Sequence, residues 1–107
     1  MRFTLNDDAG MRRSLVCWRA ILAEVDQWNP SIPAATLEAR FDAEKDELEF
    51  TLLVPGFPAK STIVDASWIA YPDQADHLAL ATRRALRQLE RIESRHQSIL
   101  LIQDLAG

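Results

Sequence analysis

The side chains best suited to chemistry in this 107-residue chain are five arginines in the stretch "RRALRQLERIESRH", residues 83–96. Arg83, Arg87, Arg91 and Arg95 recur at every fourth position, and Arg84 stands beside the first of them. On a helix, 100° per residue turns that spacing into a slowly winding stripe with Leu80 as an apolar spot within it. A guanidinium group is a planar fork that grips phosphate oxygens in pairs. The chemistry on offer is therefore recognition of an anion, not bond-making.

Ion pairing within the helix does not explain the stripe. A stabilising acid would stand three or four residues away from each arginine, and only Glu90 meets that requirement, for Arg87. The neighbours 83/87, 87/91 and 91/95 are like-charged, each costing roughly 0.2–0.5 kcal/mol. The helix dipole favours cations near a C-terminus, which covers Arg91 and Arg95 but not Arg83 or Arg87. A merely solvated face is the plain reading. The sharper one is an anionic partner: a phosphate backbone, or an acidic protein surface such as the strands around Asp42, Glu44, Asp46 and Glu49, those of another copy of this chain in a homodimer included. Arg12 and Arg19, seven apart on the first helix, extend the basic ridge if the helices pack side by side.

The catalytic inventory is thin. His77 and His96 are nineteen residues apart on one expected helix, roughly 28 Å along its axis, too far to share a metal. No HExxH, CxxC, GxSxG or glycine-rich phosphate loop occurs. Glu44, Asp46 and Glu47 read as a solvated loop, and Trp18, Trp28 and Trp68 as core side chains, not base-stacking platforms. The expectation is no catalysis, no metal and no cofactor. Cys17 is the only cysteine, so no intrachain disulfide forms, and it reads as a small core residue. The N-terminal "MRFTLNDDAG" is no signal peptide and the apolar runs are too short for a bilayer, so a cytoplasmic protein without membrane contact is expected.

Charge is unevenly spread. The formal net charge is -4. Residues 20–76 hold three cations against eleven acids, whereas both chain ends carry a surplus of arginine. Overall acidity thus hides a basic pole.

These residues must be positioned by a small fold. Arg2 to Leu5 reads as a short strand. "MRRSLVCWRAILAEVDQW" reads as an amphipathic helix with Leu15, Trp18, Ile21, Leu22, Val25 and Trp28 on one face, ended by Asn29-Pro30. "TLEARFD" and "LEFTLLV" alternate with period two and form half-buried antiparallel strands. "PGFPAK" is a turn, and "STIVDASWIAY" a further strand with Val64, Ala66, Trp68 and Ala70 on one face. "PDQAD" opens a second helix with Asp73 as N-cap, running to about Gln97 with Leu78, Ala81, Ala85, Leu89, Ile92 and His96 on its buried side. Residues 98–107 are a helix continuation, an extra strand or an arm on a partner. The expectation is one α+β domain over residues 1–107: a mostly antiparallel four-stranded sheet with two helices on one face, in the order β-α-β-β-β-α.

With "DHLALATRRALRQLERIESRH" in its second helix, that arrangement resembles the ribosome hibernation-promoting factor family of small bacterial proteins. Asp76 and Ala79 match the opening of that family's second helix, while Leu78 stands where tyrosine would be and Thr82 where aspartate would be. The resemblance covers residues 1 to about 97. It implies ribosome association, binding to small-subunit ribosomal RNA and translation regulation, with Arg83, Arg84, Arg87, Arg91 and Arg95 as phosphate contacts. A second, shorter resemblance runs through "FDAEKDELEFTLLVPGFPAKST", which is similar to HicB-type antitoxins; Ala59 replaces their usual glycine. It implies a protein-interaction module, of the kind of an antitoxin, a secretion-type chaperone or a phage-encoded inhibitor, using the acidic sheet. The sequence thus leads to a non-catalytic binding protein, RNA- or ribosome-associated through its arginine-rich helix, with protein binding as the alternative.

Overall fold

A computed structural model describes residues 2–6, 13–28 and 34–106, with side chains described as far as Glu90. The elements are β1 (Arg2–Asn6), α1 (Leu15–Gln27), β2 (Thr36–Asp42), β3 (Glu47–Leu53), β4 (Lys60–Asp65), a 3-10 turn (Pro72–Gln74) and α2 (Ala75–Ala106). This is the expected β-α-β-β-β-α order, in an α+β arrangement. The sheet order is β1-β2-β3-β4. β2, β3 and β4 form an antiparallel meander, and β1 lies parallel to β2. The sheet is therefore mixed, because α1 carries the chain back across it between β1 and β2.

Alternation in β2 and β3 sets which face is dry. Leu37 opposes Leu52, Ala39 opposes Phe50 and Phe41 opposes Leu48, all buried. The opposite face presents Glu38, Arg40, Glu49 and Thr51. Onto the dry face α1 lays Cys17, Trp18, Ile21 and Val25, and α2 lays Leu78, Leu86 and Leu89. Each fully buried leucine, isoleucine or phenylalanine contributes about 1.5–3 kcal/mol.

Two tight turns fix the meander. The Asp42 carboxylate accepts hydrogen bonds from the backbone N–H groups of Glu44 and Lys45, at 3.0 and 3.4 Å, and Asp46 takes a left-handed φ of 50°. Between β3 and β4, Phe57 N–H donates to the Val54 carbonyl at 3.1 Å across Pro55-Gly56, with Gly56 at φ 85°. Proline then glycine in these two positions is the signature of a type II turn.

Several expectations need correction. β4 ends at Asp65, not Tyr71: Ala66 and Ile69 are buried, but Trp68 and Ala70 lie exposed in the turns that follow. Asp65 causes the break, since its carboxylate accepts from the Ser67 backbone N–H at 3.0 Å and from the Ser67 hydroxyl, which bends the chain away from the ladder. Trp68 packs on Tyr71 instead, with ring centroids 5.8 Å apart. Leu15, placed on the buried face of α1, is exposed; Cys17 takes the dry position and is fully buried, its thiol donating to the Tyr71 carbonyl at 2.9 Å. Asp73 makes no side-chain cap: Tyr71 precedes the 3-10 turn, and α2 starts at Ala75. The tail of the chain continues α2 as helix through Ala106. The expected burial of Ile92 and His96 lies outside the described side chains. No helix among the described residues is long and apolar enough to cross a membrane.

Candidate nucleic-acid interface

The two helices lie side by side and run the same way. Three contacts in chain order establish this: Cys17 to Tyr71, Glu24 to Arg83, and Trp28 to Glu90. Each helix follows a strand of the same direction, β1 or β4, so each returns antiparallel to it. The outer surface of α2 then faces away from the sheet and carries Arg84 and Arg87.

Arg83 is not a free member of the ridge. Its Nε donates to Glu24 Oε2 at 3.0 Å and its Nη2 to Glu24 Oε1 at 2.6 Å, a two-bond fork on α1. Glu24 is 9% exposed. The Arg83 hydrogen bonds hold its carboxyl below the usual 4.5, against burial, which pushes the other way; the positive charges of Arg83 and then Arg87 add to the lowering. The same contact raises the guanidinium of Arg83. The acid that satisfies Arg83 comes from 59 positions away, which spacing along one helix cannot reveal.

The other ridge residues divide as follows. Arg84 and Arg87 are exposed and form no ion pair among the described residues. The local partner expected for Arg87, Glu90, instead accepts from the Trp28 indole Nε1–H at 3.4 Å. Leu80, 40% exposed, sits with these arginines on the outer side. The backbones of Arg91 and Arg95 continue the helix, but their side chains lie outside the described residues. Arg12 lies outside the described residues altogether. Arg19 is exposed, but it precedes Glu24 by five positions, about 140° around α1, and so sits on a flank turned from the Arg83 contact. The structure gathers Arg84 and Arg87 and leaves Arg19 apart from them.

Between the C-terminal half of α1 and α2 lies an open cleft of about 310 Å³, lined by Glu24, Gln27, Trp28, Arg83, Leu86, Arg87 and Glu90. Trp28 is half-buried at the end of α1, where its backbone N–H closes on the Glu24 carbonyl at 3.0 Å. Glu24, Trp28 and Glu90 were not among the sequence-derived site residues. The available signal was the polar Glu24 among the buried positions Cys17, Trp18, Ile21 and Val25 of α1.

A second charged surface lies on the open face of the sheet. There Asp42 directly opposes Glu47, and Glu47 opposes Asp65, a row of three acids across β2, β3 and β4. The next row holds Arg40, Glu49 and Ile63, the last 54% exposed. His77 is exposed, and among the described residues no cluster of three or more metal-ligating side chains occurs. Comparison with known proteins supplies no relative: no family model, no curated protein and no solved structure matches the chain.

Proposed function

We propose that this is a non-catalytic, cytoplasmic binding domain that engages RNA, in the setting of the ribosome, through the outer ridge of α2. Arg84 and Arg87, joined by Arg91 and Arg95 of the same helix, contact phosphates, while Arg83 fixes α2 against α1. The observation that carries the reading is the absence, among the described residues, of any acid paired with Arg84 or Arg87, although Arg83 beside them has a two-bond partner. A β-α-β-β-β-α chain with a basic second helix is also what the resemblance to hibernation-promoting factors implies.

The test is binding of structured and single-stranded RNA, and co-sedimentation with ribosomes, as a function of salt. Contacts to four phosphates of a single strand give a slope of log K against log salt of about −3. Replacing Arg84 and Arg87 by alanine brings it to about half that value, with folding unchanged. RNA binding at full strength and full salt slope in an Arg84, Arg87, Arg91, Arg95 quadruple alanine variant refutes the reading.

A protein-binding role through the open sheet face has its own support in the row Asp42, Glu47, Asp65. Like charges directly opposite destabilise a sheet, and a cationic partner segment would relieve them. Recovery of a stoichiometric basic protein lost on Glu47→Lys substitution supports that role.

A further inference from the structure

The cleft between the helices adds to one guanidinium of the ridge two features that the ridge alone lacks: an aromatic wall and carboxylates. Trp28 forms the apolar wall, its indole anchored at the end of α1 and half open to solvent, while Leu86 is buried beneath the cleft. Arg87 lines the same cleft with no ion-pair partner among the described residues. Both carboxylate oxygens of Glu24 are taken by the fork from Arg83, so Arg87 feels that charge without a direct bond to it. Among the described residues Glu90 accepts only a long 3.4 Å bond from the Trp28 indole, near the outer limit for a hydrogen bond, so it keeps acceptor capacity. The volume of about 310 Å³ falls at the lower end of small-ligand sites.

We propose that this cleft is a subsite for one unpaired nucleotide, its base lying on Trp28 and its phosphate on Arg87. The inference rests on the RNA reading above and gives it a specific point of contact. Any base can stack on an indole, and a base–aromatic contact is sequence-tolerant. Selection then falls to the carboxylate. Glu90 accepts hydrogen bonds and cannot donate them, so it favours a base that offers an exocyclic amino group, as cytosine does through N4. Uracil places a carbonyl at the same position, opposite a carboxylate, and is disfavoured. The subsite thus discriminates cytidine from uridine nucleotides.

The experiment uses the full chain and ¹⁵N-resolved indole signals. Three are expected, from Trp18, Trp28 and Trp68, assigned through Trp28→Phe and Trp68→Phe variants. Titration with cytidine monophosphate, uridine monophosphate and inorganic phosphate is followed at the Trp28 signal, alongside binding of a cytidine-rich single-stranded oligonucleotide. The expected result is a Trp28 shift with cytidine monophosphate, at an affinity about fivefold or more above that for the uridine nucleotide. Arg87→Ala weakens it, and Glu90→Gln, which presents a donor as well as an acceptor, erases the cytidine preference while leaving Trp28 in place. An unmoved Trp28 signal in a protein that binds the oligonucleotide overturns the subsite and leaves the RNA reading standing. No response to either mononucleotide or oligonucleotide overturns both. Equal shifts from inorganic phosphate and from both nucleotides reduce the cleft to an anion site and overturn the stacking proposal.

Discussion

Arg83 and Glu24 are joined by two hydrogen bonds, 3.0 and 2.6 Å long, across the interface of α1 and α2. This fork is a two-bond polar fastening of the two helices, and it separates one arginine of the basic stripe from its neighbours. A buried carboxylate left alone by loss of its cation is worse off than a pair removed together. Arg83→Ala should therefore destabilise the domain more than the Arg83→Ala, Glu24→Leu double variant does. Urea unfolding of the four members of this cycle measures the coupling. Additive single effects would show that the fork contributes nothing.

Acid should loosen the domain through two named carboxyls. Glu24 sits below its ordinary 4.5 because of the Arg83 hydrogen bonds, and Asp65 below its ordinary 3.8 because of the Ser67 hydroxyl and then the Ser67 backbone N–H. A depressed folded-state value means that the unfolded chain binds protons first as pH falls. Their stabilisation is complete above pH of about 5 and disappears as pH drops through the folded-state values. Stability measured from pH 6 to 2 should decline less steeply in Glu24→Gln and in Asp65→Asn than in the parent chain. Parallel curves for parent and variants would refute the assignment.

The acidic row on the open sheet face makes an opposite-sign prediction. Glu47 stands between Asp42 and Asp65 on neighbouring strands. Replacing it with lysine turns two repulsions into two attractions, a gain of about 0.5–1 kcal/mol at low ionic strength. Salt should shrink that gain. A rise in thermal midpoint that fades by 0.5 M sodium chloride is the expected signature.

Two turn positions should respond oppositely to the same kind of change. Gly56 has a φ of 85° and open space where a Cβ would stand. Gly56→Ala therefore costs about 1–2 kcal/mol from backbone conformation alone. Ala34, exposed with a φ of 63°, already bears that strain. Ala34→Gly should gain about 0.5–1 kcal/mol after the extra chain entropy of glycine is subtracted. Chemical denaturation of both variants decides the matter.

The sheet and the helices were readable because period two and period 3.6 are local properties. "TLEARFD" and "LEFTLLV" alternate, and both became paired strands with Leu37, Ala39, Phe41, Leu48, Phe50 and Leu52 inward, while Leu53 falls on the open face. The reading failed where a side chain's partner is remote. Trp68 was assigned to a strand face because Val64, Ala66, Trp68 and Ala70 keep the alternation. The Asp65–Ser67 hydrogen bonds stop the strand before that pattern can act. Arg83 was grouped with Arg87 by spacing, whereas Glu24 on another helix determines its contact. Leu86 and Thr82, both buried, were passed over because a helix packed against both a sheet and a second helix needs a wider dry face than one stripe. Ridge residues on solvent, Arg84 and Arg87, were legible for the converse reason: no ion pair among the described residues redirects them.

The parallel register of β1 on β2 has a consequence for the order of assembly. β1 pairs with no other strand, and residues 7–35 separate it from its partner, against the four-residue turn 43–46 within the meander. Closing the longer connection costs about 2 kcal/mol more in chain entropy. The three-stranded meander can therefore zip from its own turns, and β1 docks only after α1 has settled. During synthesis β1 leaves the exit tunnel before β2, β3 and β4 yet is the last of the four to find its place, and it waits unpaired until β2 has followed it out.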